Sequence, residues 1–325
     1  GDCLLANEAA ANLLNVELDK LKDCHLWESL RMAEVDELIA SLPTLERPRR
    51  MWVEVHNIPD QRQVLQFVAT PVFTTADGLQ QSVILVSDAT EDQKLLEMRQ
   101  DFVANVSHEL KTPLTSISAY VDTLLDGAAD DEAVRRPFML KIQSNTTRLT
   151  KLVSDILNIS RLESGTGDES RHNIDLNLFA EALLERQRDK ADAKHIKLHF
   201  KAADMPAIAF GNEEDLTEAV ENLIVNAISY TPENGDVTVE VESNNNGLEL
   251  SVSDTGVGIP EESLARVFER FFRVDKARSR ALGGTGLGLA IVKHVAIKHG
   301  GKVEATSEEG KGSTFKITLP KASRT

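Results

Sequence analysis

The chain has 325 residues, with 36 Lys+Arg against 52 Asp+Glu and a formal charge of −16, which argues against a broad electrostatic grip on nucleic acid. Hydrophobic residues make up 41% and charged residues 27%, a globular balance, and the length calls for two or three domains rather than one core. Two cysteines, Cys3 and Cys24, cannot build a disulfide framework, and no apolar stretch approaches the roughly 18 residues that span a bilayer. The chain opens at Gly1-Asp2 with neither a methionine nor a signal peptide, so a soluble portion of something longer is expected.

Residues 1–89 begin with helical patterning and continue in β-branched and aromatic runs at Val53–Val55, Val64–Val68 and Ser82–Val86. Ile58-Pro59-Asp60 and Asp77-Gly78 are turn signals between them, so one sheet in a small α+β domain is predicted. Cys3, Cys24, His25 and His56 match no standard zinc spacing, and ordinary core and surface roles are expected for them.

Residues 90–165 turn helical. Phe102, Val106, Leu110 and Ile117 share one helical face, and Ile142, Asn145, Leu149, Leu152, Ile156 and Ile159 follow a heptad seam with one polar member. The polar stretch Asp126–Asp131 breaks the two patterns, giving a helical hairpin. Two apolar stripes are too much for two helices, so pairing of two copies into a four-helix bundle is predicted. A continuous helix over about 90–126 would run roughly 55 Å, long enough to couple the first domain to the bundle.

Residues 166–325 alternate helical patterns near 175–190, 213–229 and 286–299 with strands at 196–200, 237–241, 248–252, 302–305 and 314–319. Interleaving of this kind predicts a two-layer α/β sandwich.

Four features carry chemistry. His108 lies two residues from both Val106 and Leu110, about 200° around the helix, so its ring faces solvent, where a neutral imidazole can attack an electrophile. Glu109 beside it can hold or take a proton, and Pro113 is expected to kink the helix. Glu218, Asn222 and Asn226 stand one turn apart, an oxygen-bearing stripe suited to Mg²⁺ shared with phosphate, opposite the buried stripe Leu216, Val220, Leu223 and Ala227. Asp254-Thr255-Gly256-Val257-Gly258 ends a strand with a carboxylate able to accept from an exocyclic amine. Gly283–Leu289 places a glycine loop before a helix, where exposed N–H groups favour phosphate, without a Walker or Rossmann pattern. Alone, an exposed histidine reads sooner as a solvated residue, the oxygen-bearing stripe as a polar face, and the glycine runs as turns or connections; their order carries the argument.

That order, with Phe102–Leu114 reading FVANVSHELKTPL, resembles the sensor histidine kinases of two-component systems over roughly residues 90–320. Phe102–Leu114 looks like the H-box, Asn222–Asn226 with Tyr230–Pro232 the N-box, and Asp254–Gly258 the first glycine box. Val267–Arg273 looks like the F-box, Gly284–Leu289 the second glycine box, and Gly310–Phe315 the terminal one. Residues 1–88, ending in Asp88-Ala89-Thr90, resemble a PAS sensor domain. The flavour is that of the phosphate-response and cell-wall branch, whose members are membrane-anchored, so this chain is expected to be the cytoplasmic portion of such a bacterial protein, its anchor upstream of Gly1.

The resemblance implies three domains: PAS-like over 1–89, a dimerising phosphotransfer hairpin (HisKA) over 90–165, and a Bergerat-type (GHKL) ATP-binding domain over 166–325. It implies that His108 takes the γ-phosphate of ATP, that Glu109 orients or deprotonates the ring, and that Thr112 positions water when the kinase acts as phosphatase. Asn222 and Asn226, with Glu218, would hold Mg²⁺; Asp254 would read the adenine amine and Tyr230 pack by the base. Gly256, Gly258, Gly284, Thr285, Gly286, Leu287, Gly288 and Thr314 belong to the nucleotide boxes, Arg273 would neutralise γ-phosphate charge, and Lys276, Arg278 and Arg280 would be the basic contacts of a lid over 275–285. The implied partners are a second copy and the receiver domain of a response regulator.

One departure stands out. The family commonly carries Lys between the second Asn and the Tyr, where this chain has Ser229, so phosphate charge must be met elsewhere, by Arg273 or the lid cations. Two rivals are a clamp-type ATPase of the same fold, opposed by the His108-Glu109 hairpin upstream, and an idle signalling dimer, opposed by the intact nucleotide boxes.

Overall fold

The computed structural model describes residues 3–22, 33–58, 61–73, 80–163, 170–244, 247–275 and 284–321. The chain divides into two compact units, Gly1–Ala104 and Asn105–Thr325.

In the first unit, helices α1 (Glu8–Leu14), α2 (Leu18–Lys22) and α3 (Ala33–Ser41) accompany an antiparallel sheet of β1 (Arg49–Ile58), β2 (Gln61–Phe73) and β3 (Gln80–Asp88), in that order. All three predicted runs fall inside these strands, and the alternation puts Val53, Val55, Leu65, Phe67 and Ala69 on the face that buries Val35 and Leu38. Residues 59–60 and 77–78 of the turn signals lie outside the described residues, as do Cys24 and His25. Helix α4 (Thr90–Leu125) starts with its first residue tied to the sheet: Thr90 Oγ1 donates to Asp88 Oδ1 (2.5 Å) and accepts from the Val64 N–H (2.9 Å).

Helix α4 runs unbroken through Pro113, which supplies no N–H to the Glu109 carbonyl. In the second unit its continuation packs with α5 (Glu132–Glu163), the two joined through Gly127, whose φ of 108° turns the chain where the polar break was predicted. Tyr120 and Phe138 meet across the hairpin at 5.1 Å. Along α5 the predicted seam grades from half-buried Ile142 and Leu149 to fully buried Leu152 and Ile159.

The predicted sandwich follows. Strands β5 (Lys197–Lys201), β7 (Asp236–Asn244), β8 (Gly247–Asp254), β10 (Gly312–Leu319) and β9 (Lys302–Glu308) lie side by side in that order, with only β5–β7 parallel. Helices α6 (Leu176–Arg186), α8 (Glu213–Tyr230) and α10 (Gly288–Lys298) supply the apolar layer, while α7 (Arg188–Asp192) and α9 (Glu261–Leu264) are short connectors. The predicted α8 stripe is buried, and Ala219, Ile224 and Ile228 join it because α8 is also covered by α10. A two-stranded sheet of β4 (Arg171–Asp175) and β6 (Ile208–Asn212) was not predicted; RHNID is too polar, and IAFGN ends in Gly-Asn, which reads as a turn.

Candidate active site

Helix α4 presents His108 exposed, as the two-residue offset from Val106 and Leu110 requires. One turn on, the Thr112 hydroxyl donates to the His108 carbonyl (3.2 Å). Glu109, about 100° further round the helix, is half-buried and reaches α5. Its Oε2 accepts from Arg148 of α5 (2.5 Å) and from Arg273 of the 267–273 segment (3.1 Å).

Arg273 is therefore shared between two places. Its guanidinium reaches Glu109, its side chain also lines a cavity of about 290 Å³, and its Nε is buried with no hydrogen-bond partner among the described residues. Its pose is set locally: Phe271, at φ 62°, donates its N–H to the Gly286 carbonyl (2.7 Å). Gly286 is held at φ 77°, where an added Cβ would lie 2.9 Å from the Phe271 Cα and 3.2 Å from Arg273 Nε.

The cavity gathers most of the residues picked from the nucleotide boxes. Asn222, Asn226, Tyr230, Asp254, Gly258 and the loop 284–286 line it. Asp254 Oδ1 accepts from the Gly256 N–H (2.8 Å). Burial pushes the Asp254 carboxyl above the usual carboxylate range, while the N–H groups of Gly256 and Ser313 pull the other way. Gly288 opens α10 directly against α8, for a Cβ there would sit 2.8 Å from Asn222 Oδ1.

Other picks fall elsewhere. Leu287 is fully buried in the core, so its place in the glycine box is a packing one. Thr314 bonds Ser253 (2.9 Å) on the opposite sheet face, and its neighbour Ser313, which the sequence reading passed over, lines the cavity instead. Gly256 lies behind Asp254, where a Cβ would press on Asp254 Oδ1 and the Tyr230 carbonyl. Glu218 faces a second, open cleft of about 740 Å³ and accepts from Asn158 of α5 (2.5 Å). Burial, with Asp155 and Asp215 nearby, raises its carboxyl despite the Asn158 bond and Arg161. Lys276, Arg278 and Arg280 lie outside the described residues. Ser229 turns its hydroxyl back to the Val225 carbonyl (2.6 Å), and Lys194 donates to the carbonyls of Ile228, Ser229 and Thr231, closing the C-terminal end of α8.

A row of contacts from α5 to the sandwich had no counterpart in the sequence reading. Asp155 accepts from Thr285, Arg161 pairs with Asp215 (2.7 Å) and Glu163 contacts Arg270. The available signal was Asp155 itself, a carboxylate three residues after Leu152 and four before Ile159, hence on the same face of the helix as both.

The family described as "His Kinase A (phospho-acceptor) domain" matches residues 98–165, and that described as "Histidine kinase-, DNA gyrase B-, and HSP90-like ATPase" matches 211–323. "Sensor-like histidine kinase SenX3" of Mycolicibacterium smegmatis is 36% identical over 98% of this chain and 80% of its own length. The chain belongs to the sensor histidine kinases. "Sensor histidine kinase WalK" of Bacillus subtilis is 34% identical over 98% of this chain and 52% of its own, so the chain spans about half the length of that kinase. The histidine kinase ThkA, solved in complex with response regulator protein TrrA, shares the fold with a TM-score of 0.58 at 21% identity, over 98% of this chain and 92% of its own. A phosphoacceptor-domain match over the hairpin separates this kinase from clamp-type ATPases that share its α/β sandwich.

Proposed function

We propose that this histidine kinase phosphorylates itself on His108 from Mg-ATP and hands the phosphoryl group to an aspartate of a response regulator. The observation that carries the reading is Arg273, which lines the cavity of the nucleotide boxes while bonded to Glu109, the residue beside the exposed imidazole. Phosphoryl transfer asks for positioning and charge neutralisation more than covalent help from the protein, and one guanidinium serving both places meets that demand.

The cavity fits the nucleotide chemically: a half-buried carboxyl group at Asp254 suits an adenine amine, and Arg273 has a buried N–H to offer. Asn222 and Asn226 are the oxygen ligands on its wall that would hold Mg²⁺, whose contribution is to neutralise phosphate charge. Glu218 is the weaker part of that ligand set, since Asn158 engages it in the neighbouring cleft.

In the proposed step a ring nitrogen of neutral His108 bonds to the γ-phosphorus, the bond from that phosphorus to the β,γ-bridging oxygen breaks, and ADP departs with that oxygen. The proton on the other ring nitrogen passes to Glu109 and on to water. Arg273 exchanges the Glu109 carboxylate for the γ-phosphate. The N–P bond then breaks as a regulator aspartate oxygen takes the phosphorus, and the imidazole regains its proton. Thr112, one turn from His108 on the same helix, is the residue for positioning water in the phosphatase role, where water takes the phosphorus from the regulator aspartate and inorganic phosphate leaves.

The working unit is a homodimer, supported by exposed Leu114, Val121, Leu125, Met139, Leu140 and Leu157 on the hairpin. Residues 1–89 act as a PAS-like input domain, supported by their helix-and-sheet build and by the tied start of α4. Incubation with γ-labelled ATP and Mg²⁺ tests the reading. The label is expected to be acid-labile and base-stable and to be lost in His108→Gln; a variant that still takes label would remove His108 as the nucleophile.

A further inference from the structure

We propose that Arg148 of α5 is a positioning residue for phosphoryl transfer: it keeps a cationic partner on the carboxylate of Glu109, the residue that follows His108, while Arg273 leaves Glu109 for the nucleotide. This rests on the assignment of His108 as phosphoacceptor.

Glu109 Oε2 carries two guanidinium bonds of different origin. Arg148 belongs to the hairpin, at 2.5 Å, and Arg273 to the nucleotide-binding sandwich, at 3.1 Å. The side chains of Arg148 and Glu109 are each 13% exposed and that of Arg273 is 5% exposed, so the three charges sit largely out of water. A carboxylate in such a place cannot lose all its cationic partners without leaving a buried charge uncompensated. If Arg273 were the sole partner, its transfer to the γ-phosphate would strip Glu109 at the moment when the carboxylate must accept a proton from a defined direction. Arg148 removes that conflict, because it stays with α5 whatever the sandwich does. A guanidinium also fixes direction as well as charge, since its planar fork matches a carboxylate and limits its rotamers.

A plain hairpin staple predicts something different from a positioning group. A staple acts on stability, and through it on every activity alike; a positioning group acts on the rate of transfer within the bound complex. The test is single-turnover autophosphorylation of the full chain, for Arg148→Ala and Arg148→Lys, with nucleotide affinity measured by a fluorescent ATP analogue and folding by thermal melting. Arg148→Ala is expected to slow labelling of His108 by about tenfold to a hundredfold, with nucleotide affinity within about twofold of the parent. Arg148→Lys, which keeps the charge on a different stem, is expected to recover part of that rate. A normal rate in Arg148→Ala, a parallel loss of rate and nucleotide affinity, or no recovery with lysine each overturns the inference. His108→Gln in the same assay keeps the two readings apart: label on that variant sinks the phosphoacceptor assignment, whereas its absence alongside an unimpaired Arg148→Ala sinks only the role of Arg148.

Discussion

Asp155 of α5 accepts a hydrogen bond from Thr285 Oγ1 at 2.6 Å, and both residues are buried. The Thr285 hydroxyl in turn accepts from the Leu287 N–H (3.3 Å), so a side chain of the phosphoacceptor hairpin fastens the loop that opens α10. Burial raises the Asp155 carboxyl, against the Thr285 bond and Lys151. A carboxylate raised in the folded state contributes stability that is full below its unfolded value and fades as pH rises through the folded one. Urea midpoints followed upward from the acid side of the ordinary carboxylate range should show this decline. In Asp155→Asn, which keeps an acceptor and cannot ionise, the decline should flatten; an unchanged profile would count against this residue as its source. Asp155→Ala, leaving the buried Thr285 hydroxyl short of a partner, is expected to cost about 1–3 kcal/mol.

His299 should give the opposite slope. Its Nδ1 donates to the Val295 carbonyl (2.8 Å), leaving Nε2 to accept from the Asn212 N–H (3.0 Å) just ahead of α8. Burial lowers its pKa, so the neutral ring stabilises the fold above the ordinary histidine value and that stability is lost as pH falls. Titration followed by NMR should find this imidazole neutral where an exposed histidine is protonated, and a protonated ring at that pH would refute the account.

Asp254→Ala is expected to weaken ATP binding by about tenfold or more, the worth of a hydrogen bond to a charged group. Calorimetric titration with ATP is the measurement. Equal affinity in variant and parent would move the adenine away from this carboxylate.

Gly286→Ala strains a φ of 77° and drives a Cβ toward the Phe271 backbone and Arg273 Nε. The expected cost is about 1–3 kcal/mol in thermal or urea unfolding, together with slower labelling of His108 because Arg273 is displaced. Normal labelling with normal stability would show that the loop relaxes without moving Arg273.

How much of this was legible beforehand follows from the range of the interactions. Spacing alone placed His108 in solvent, buried Leu216, Val220, Leu223 and Ala227, and split the hairpin at the polar break, because helical periodicity is a local property. The Asp254–Gly258 and Gly283–Leu289 loops could be singled out for the same reason, since their glycines and carboxylate have local backbone consequences, while the other boxes came from the family resemblance. Strand facing is local as well. Thr314 and Ser313 differ by one position, and the alternation settles which faces the cavity: Ser313 shares its face with the buried Phe315, Ile317 and Leu319, and Thr314 does not.

The contacts across the second unit were beyond reach of the sequence. Nothing in the spacing of Glu109, Arg148 and Arg273 announces that one carboxylate oxygen serves two guanidiniums, and nothing near Asp155 announces Thr285, 130 positions on. The sequence by itself determined which faces are apolar, where helix α4 turns a histidine outward, and where the glycine-rich loops lie. Only tertiary structure decided which charges share a partner, since such pairing depends on where separately folded layers come to rest, and burial there sets how strongly each charge needs the other.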